Sequence, residues 1–196
     1  MSIVNQMSIF VEPGSYQSEI IRAVVALKGA ECRVVEVSTP SVQAQIASLT
    51  HYSELPLLVD REVTLNGLDM ILEFLDDRYP APSLLPHTPV SRANARMTLR
   101  RIETEMFVSL ARATDGDQAA KRDLEDTLEA LGNLFFKASF LCSESMSIAD
   151  VAFTVFLKRC AEQSVNTQRN PLLTKYFNAM YQQPMFAELR GTAKAA

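Results

Sequence analysis

Histidine and cysteine are scarce in this chain of 196 residues, and each scarcity removes a class of function. His51 and His87 are too few for a multi-histidine metal centre, so no metal is expected. Cys32, Cys142 and Cys160 are odd in number, widely spaced and not arranged as C-x-x-C. That argues against a disulfide framework or a zinc site and fits a reducing cytoplasm. Long apolar runs are missing too. None approaches the roughly 18 residues that a bilayer span requires, so no membrane association is expected. The start, "MSIVNQMSIFVEPG", has neither a basic segment nor a long apolar one, which speaks against a signal peptide. A basic excess is also lacking. The net charge of −4 opposes direct nucleic-acid binding, because phosphate contacts need a cationic surface. It leaves room for a partner that itself binds DNA.

What remains is an ordinary globular composition, 47% hydrophobic and 21% charged, long enough for one core or for two small domains sharing one. Residues 7–11, "MSIFV", read as a strand that Pro13-Gly14 breaks. Ser18 is placed to cap a helix running to about Lys28, with Ile20, Ile21, Val24, Val25 and Leu27 inward and Gly29 as its stop. "CRVVEV" (32–37) reads as a strand, 41–49 as a short helix, "LPLLV" as a third strand and "EVTL" as a fourth. Residues 67–79 read as a helix, with Leu68, Ile71, Leu72 and Leu75 at i, i+3, i+4 and i+7. Asn66-Gly67 is a hairpin signal, outweighed by the helical period that follows it.

Residues 79–90, "YPAPSLLPHTPV", hold four of the nine prolines and read as a linker. Helices are expected beyond it at about 90–113, 118–138, 147–163 and 171–182. Ala95, Leu99, Ile102, Met106 and Leu110 make one apolar stripe, and "SIAD", Ser147 to Asp150, has the form of a capping box.

A β-α-β-α-β-β-α unit, a proline-rich linker and an all-helical second half resemble the glutathione transferase superfamily. The resemblance implies a glutathione S-transferase fold: an α/β thioredoxin-like domain over 1–79, a linker over 80–89 and an all-α domain over 90–196. Leu55-Pro56 stands where that superfamily carries a cis-proline, and Ser147 with Asp150 matches its helix-nucleating box. Four further stretches are similar to the stringent starvation protein A family of RNA polymerase-associated regulators. They are "YQSEIIRAVVALKG", "LPLLVDREVTL", "ILEFLDDRYPAPSLLP" and "PVSRANARMTLRRIE". This likeness extends over nearly the whole chain.

The resemblance turns several residues into candidates. In the superfamily a Ser, Tyr or Cys at the start of the first helix holds the glutathione thiolate, where free N–H groups favour an anion. Ser15 falls at that place and Ser18 lies one turn later, with no histidine nearby to act as a base. The preferred readings are a loop residue for Ser15 and a helix cap for Ser18. Ser18, Leu55, Pro56, Gly67 and Leu68 form the remnant of the ligand pocket. Glutathione-binding members hold the γ-glutamyl carboxylate with a polar pair at the turn into the third helix. Here that pair is Gly67-Leu68, followed by Asp69. Leucine offers no hydrogen bond and aspartate repels a carboxylate, so no glutathione and no other cofactor is expected.

Tyr79, Pro80, Ala81, Pro82 and Leu84 lie where the starvation-protein family carries Pro-His-Pro in a docking pocket. Alanine replaces the histidine, and a plain linker is the competing reading. Arg92, Arg96 and Arg100 fall at i, i+4 and i+8, beside Arg101. They read as a solvated ridge paired with Glu103 and Glu105, or as part of the dimer contact that the third and fourth helices make in this superfamily. An alarmone-like, phosphate-rich ligand is a further reading of the ridge. Cys142 and Cys160 read as core thiols on helices and Cys32 as buried. The expectation is a cytoplasmic, dimeric, non-catalytic regulator of RNA polymerase holoenzyme, paired with itself or with a related chain. The alternative is a divergent glutathione transferase using Ser15.

Overall fold

Every residue of β1 (Ser8–Val11) is buried, as befits an interior strand covered on both faces. In the computed structural model, which describes residues 6–49 and 54–192, β1 belongs to a four-stranded sheet ordered β2-β1-β3-β4. β2 (Arg33–Glu36) runs parallel to β1, β3 (Leu57–Val59) runs antiparallel to β1, and β4 (Thr64–Asn66) runs antiparallel to β3. A parallel neighbour needs a crossover, and α1 (Tyr16–Lys28) supplies it. α2 (Pro40–Leu49) follows β2, and α3 (Leu68–Arg78) follows β4. This is the thioredoxin-like order that the sequence predicts.

Alternation along the strands divides the core. Phe10, Leu57 and Val59 pack with Ile46 of α2. α1 and α3 pack on each other, with Ile20, Ile21, Val24, Ile71, Leu72 and Leu75 fully buried. The turn from β3 to β4 closes where the Asp60 N–H meets the Val63 carbonyl, so Asn66-Gly67 makes no hairpin. Gly67 instead carries the chain from β4 into α3 at φ 99°, a backbone that side chains other than glycine rarely adopt. The Leu55–Pro56 bond is cis, as expected, and so is Ala81–Pro82.

The cap of α1 departs from expectation. Its N-cap is Ser15, whose hydroxyl oxygen accepts the Ser18 N–H at 3.2 Å. Ser18 lies inside the first turn, is buried, and accepts from Arg22 Nε at 3.4 Å. Gly14, at φ 68°, turns the chain early enough for the helix to begin three residues sooner than Ser18 suggests.

The chain groups into two units. One holds the described residues up to Pro82 and those from Glu188 on, including most of α9 (Ala187–Thr192); the other is Ser83–Ala187. The second unit is helical. Thr88 caps α4 (Pro89–Arg101), and a π-helical turn (Ile102–Met106) joins it to α5 (Phe107–Thr114). α6 (Gln118–Gly132) passes into a 3₁₀ turn (Asn133–Phe136), and α7 (Ile148–Glu162) and α8 (Pro171–Tyr181) follow. The π turn shifts the apolar stripe. Ala95, Leu99 and Ile102 are buried as expected, but the wider turn leaves Met106 half-buried and hands its place to Phe107.

α7 is buried from Ile148 to Leu157, the signature of a helix surrounded by others. Its capping box forms: the backbone N–H and the hydroxyl of Ser147 both donate to Asp150 Oδ2, at 2.9 and 2.7 Å. Asp150 Oδ1 accepts the Leu141 N–H and the Tyr176 hydroxyl, each at 2.9 Å. Burial outweighs these bonds and raises its carboxyl above the usual range. Cys142 is not on a helix. It lies half-buried in the segment before α7, its Sγ 3.4 Å from Thr98 Oγ1, and burial pushes its thiol up. Cys32 is likewise half-buried rather than buried, its thiol pushed up to about 11, while Cys160 is buried on α7. None is a poised nucleophile.

Candidate functional site

Strand register gathers the ligand-pocket candidates. Phe10, Leu57 and Asn66 share one row of the ladder. The segments beyond that row therefore meet at one end of the sheet: Ser15 after β1, Leu55-Pro56 before β3 and Gly67 after β4.

Ser15, Asn66, Gly67 and Asp69 there already have internal tasks. The Ser15 hydroxyl donates to the Glu12 carbonyl at 2.8 Å while its lone pair caps α1. Its one proton is therefore spent on the backbone. The Gly67 N–H donates to the Pro56 carbonyl at 3.1 Å, and Asn66 Nδ2 to the Glu54 carbonyl at 2.7 Å. Leu68, at the first position of α3, is 3% exposed and belongs to the core. Asp69 holds the helix start itself: its Oδ1 accepts the Met70 N–H at 2.9 Å. The same oxygen lies 3.2 Å from where a β-carbon on Gly67 would stand. The positive end of α3 thus already carries a carboxylate.

The linker candidates separate. Pro80, Ala81 and Pro82 are exposed and Tyr79 is half-buried. Leu84 leaves the expected surface patch, because it is fully buried in the second unit and its carbonyl accepts the Ile148 N–H at 2.9 Å. An apolar side chain between prolines is still better placed in a core than in water. The arginine ridge is also shorter than expected. Arg92 is half-buried and donates from Nε to the Pro86 carbonyl at 3.2 Å, while Arg96 and Arg100 are exposed. Arg101 pairs with Glu105 at 3.3 Å, one turn on.

Two features escaped the sequence reading. One is Lys28, whose ammonium bonds Asp76 and the carbonyls of Tyr79 and Pro82. A lysine in the last turn of a helix reads as an exposed dipole partner, and nothing nearby in sequence marks it as buried. The other is a cavity of about 370 Å³ in the second unit, lined by Ile102, Met106, Leu124 and Phe153 among others. Both arginines in its wall are already paired, Arg101 with Glu105 and Arg112 with Asp117 at 2.7 Å. It offers no cation free to select a ligand. Among the described residues no cluster of His, Cys, Asp and Glu fits a metal, and no helix is long and apolar enough to cross a membrane.

Comparison with known proteins fixes the class first. A glutathione S-transferase from Rhodospirillum rubrum superimposes with a TM-score of 0.79, at 18% identity over 93% of this chain and 91% of that one. The Tau class glutathione S-transferase of mango gives 0.76, at 19% identity over 97% and 98%. The fold is that of the glutathione S-transferases, and residues 99–184 match the family model described as "Glutathione S-transferase, C-terminal domain". Among individual relatives, the stringent starvation protein A homolog of Pasteurella multocida is 32% identical over 164 residues, 82% of this chain and 77% of the relative. That of Haemophilus ducreyi is 28% identical over 192 residues, 94% and 90% of the two chains. The chain belongs to the stringent starvation protein A family.

Proposed function

We propose that this chain is a non-catalytic, cytoplasmic transcription regulator that works as a dimer and binds RNA polymerase through Tyr79–Pro82. One observation carries the non-catalytic reading: the Asp69 carboxylate occupies the start of α3. A ligand carboxylate arriving there would meet a like charge, and a charged group buried without partners is strongly disfavoured. Family membership supports polymerase as the partner, and the exposed Pro80, Ala81 and Pro82 supply a stiff surface that loses little entropy on binding. α3 and α4 are the proposed dimer contact, with Arg96 and Arg100 at its margin, and the second protomer is a copy or a related chain. No cofactor, metal, membrane or nucleic acid enters this reading.

Two measurements on the purified protein test it. Immobilised glutathione should not retain it, and RNA polymerase holoenzyme should bind it. The competing reading, a divergent glutathione transferase, draws on the place of Ser15 at the first turn of α1. Saturable conjugation of glutathione to an electrophile, abolished by Ser15→Ala, would establish that enzyme and overturn the proposal.

A further inference from the structure

Lys28 ends α1, where a lysine usually extends into water, yet its side chain is wholly buried. Its Nζ lies 2.5 Å from Asp76 Oδ1, 2.7 Å from the Tyr79 carbonyl and 2.5 Å from the Pro82 carbonyl. An ammonium has three N–H donors, so these three acceptors satisfy it completely. The bond to Asp76 ties α1 to α3, which is enough to account for a structural ion pair. The other two bonds serve a different end. They grip the two ends of the exposed segment that begins where α3 stops.

We propose that Lys28 is the positioning residue of the Tyr79–Pro82 docking segment, an inference that rests on the function proposed above. The ammonium turns the Tyr79 and Pro82 carbonyls inward, and the Tyr79 N–H is taken by the Leu75 carbonyl at 3.0 Å. Pro80 and Pro82 have no N–H to offer. With so much of the backbone polarity engaged inside, the exposed part of the segment is dominated by two prolyl rings and the Ala81 methyl. It is a small apolar ridge held in one conformation before any partner arrives. The complementary surface on the polymerase is apolar and lined with aromatic side chains, the chemistry that receives prolines elsewhere.

The test replaces both members of the buried pair, Lys28→Met with Asp76→Leu, so that neither charge stays in the core without its opposite. Thermal unfolding should stay close to wild type. Amide hydrogen exchange should accelerate at Ala81 and Ser83 and nowhere else. Affinity for RNA polymerase holoenzyme, measured by calorimetry, should fall by about tenfold, the cost of ordering roughly one backbone residue. The loss should appear in the binding entropy, which a merely structural role would not move. If this pair of substitutions prevents folding, Lys28→Leu with Asp76→Asn removes both charges and every donor to the two carbonyls with a different packing, and should show the same local exchange and the same direction of affinity change. Wild-type affinity in a folded variant would overturn the inference. A parallel variant, Tyr79→Ala with Pro80→Ala and Pro82→Ala, separates the two levels. If it loses binding while the Lys28 variant does not, the docking reading stands and the role of Lys28 falls. If it binds like wild type, docking through this segment falls, and the role of Lys28 with it.

Discussion

Lys28 in the first unit and Asp150 in the second are both buried charges, held in opposite ways. Asp150 takes four hydrogen bonds from uncharged donors, two of them from Ser147, three residues back. Lys28 reaches an acid and two carbonyls 48, 51 and 54 residues away in the chain. Asp150 organises a helix that is buried almost throughout. Lys28 shapes a segment that is mostly exposed. A charge that gathers core groups is a structural nucleus; a charge that gathers the backbone of a surface segment sets up a surface.

The two centres separate most sharply when Asp150 is removed. Asp150→Ala strands two N–H groups and two hydroxyls in the core, and the second unit should lose about 4 kcal/mol or more in urea unfolding. A loss under about 1 kcal/mol would mean that water or neighbours re-satisfy those donors. The sign of its pH dependence sharpens the point. Because burial raises the Asp150 carboxyl, the native chain keeps that proton to higher pH than the unfolded chain does. Its contribution should be full below the ordinary carboxylate pKa and fall as pH rises toward the native value. The stability gap between wild type and Asp150→Ala should therefore narrow with rising pH; a widening gap would show that the ionised form is the favoured one.

Next in size is the effect of breaking one half of the other pair. Lys28→Met alone takes the ammonium away from the buried Asp76 carboxylate and should cost about 3 kcal/mol, whereas Lys28→Met with Asp76→Leu should cost no more than about 1 kcal/mol. Equal losses would show that the carbonyl bonds, not the ion pair, dominate stability. Gly132→Ala is smaller. A β-carbon there would lie 2.3 Å from Cγ of Asn170, which caps α8 and donates to the Glu129 carbonyl. Pushing that side chain aside should cost about 1–3 kcal/mol, and an unchanged melting temperature would mean that α6 and α8 simply slide apart. Smallest is Ser15→Ala, which removes the cap of α1 at about 1 kcal/mol and should leave glutathione conjugation at background.

What could be read from the sequence follows the distance between partners. "SIAD" announces Asp150 because its cap partner lies within one turn, although its bonds to Leu141 and Tyr176 do not show in the pattern. The apolar spacing of α3 and the sequence signals for α7 gave both helices to within a residue or two. Ser15 and Ser18 are both good caps three residues apart, and only the turn at Gly14 decides between them. The π turn at Ile102–Met106 adds a residue to the helical repeat without any breaker to mark it, so the stripe changed register unseen. At the candidate site, the lack of a polar side chain at Gly67-Leu68 is legible in the sequence itself. That Asp69 settles on its own helix start was not, since it depends on the rotamer the carboxylate adopts. The likeness to a docking segment puts Leu84 on the surface, and the i, i+4, i+8 spacing puts Arg92 on an exposed ridge. Their partners, the Ile148 N–H and the Pro86 carbonyl, come from the folded helical unit.

The central claim is that the chain acts through the exposed Tyr79–Pro82 segment and not through the vestige of a ligand pocket. Titration of RNA polymerase holoenzyme with wild type and with the Tyr79→Ala, Pro80→Ala, Pro82→Ala variant tests this most directly. The account predicts that the variant stays folded and dimeric while losing at least about tenfold in affinity, as truncation of a compact binding patch does. Wild-type affinity in a folded, dimeric variant would contradict it.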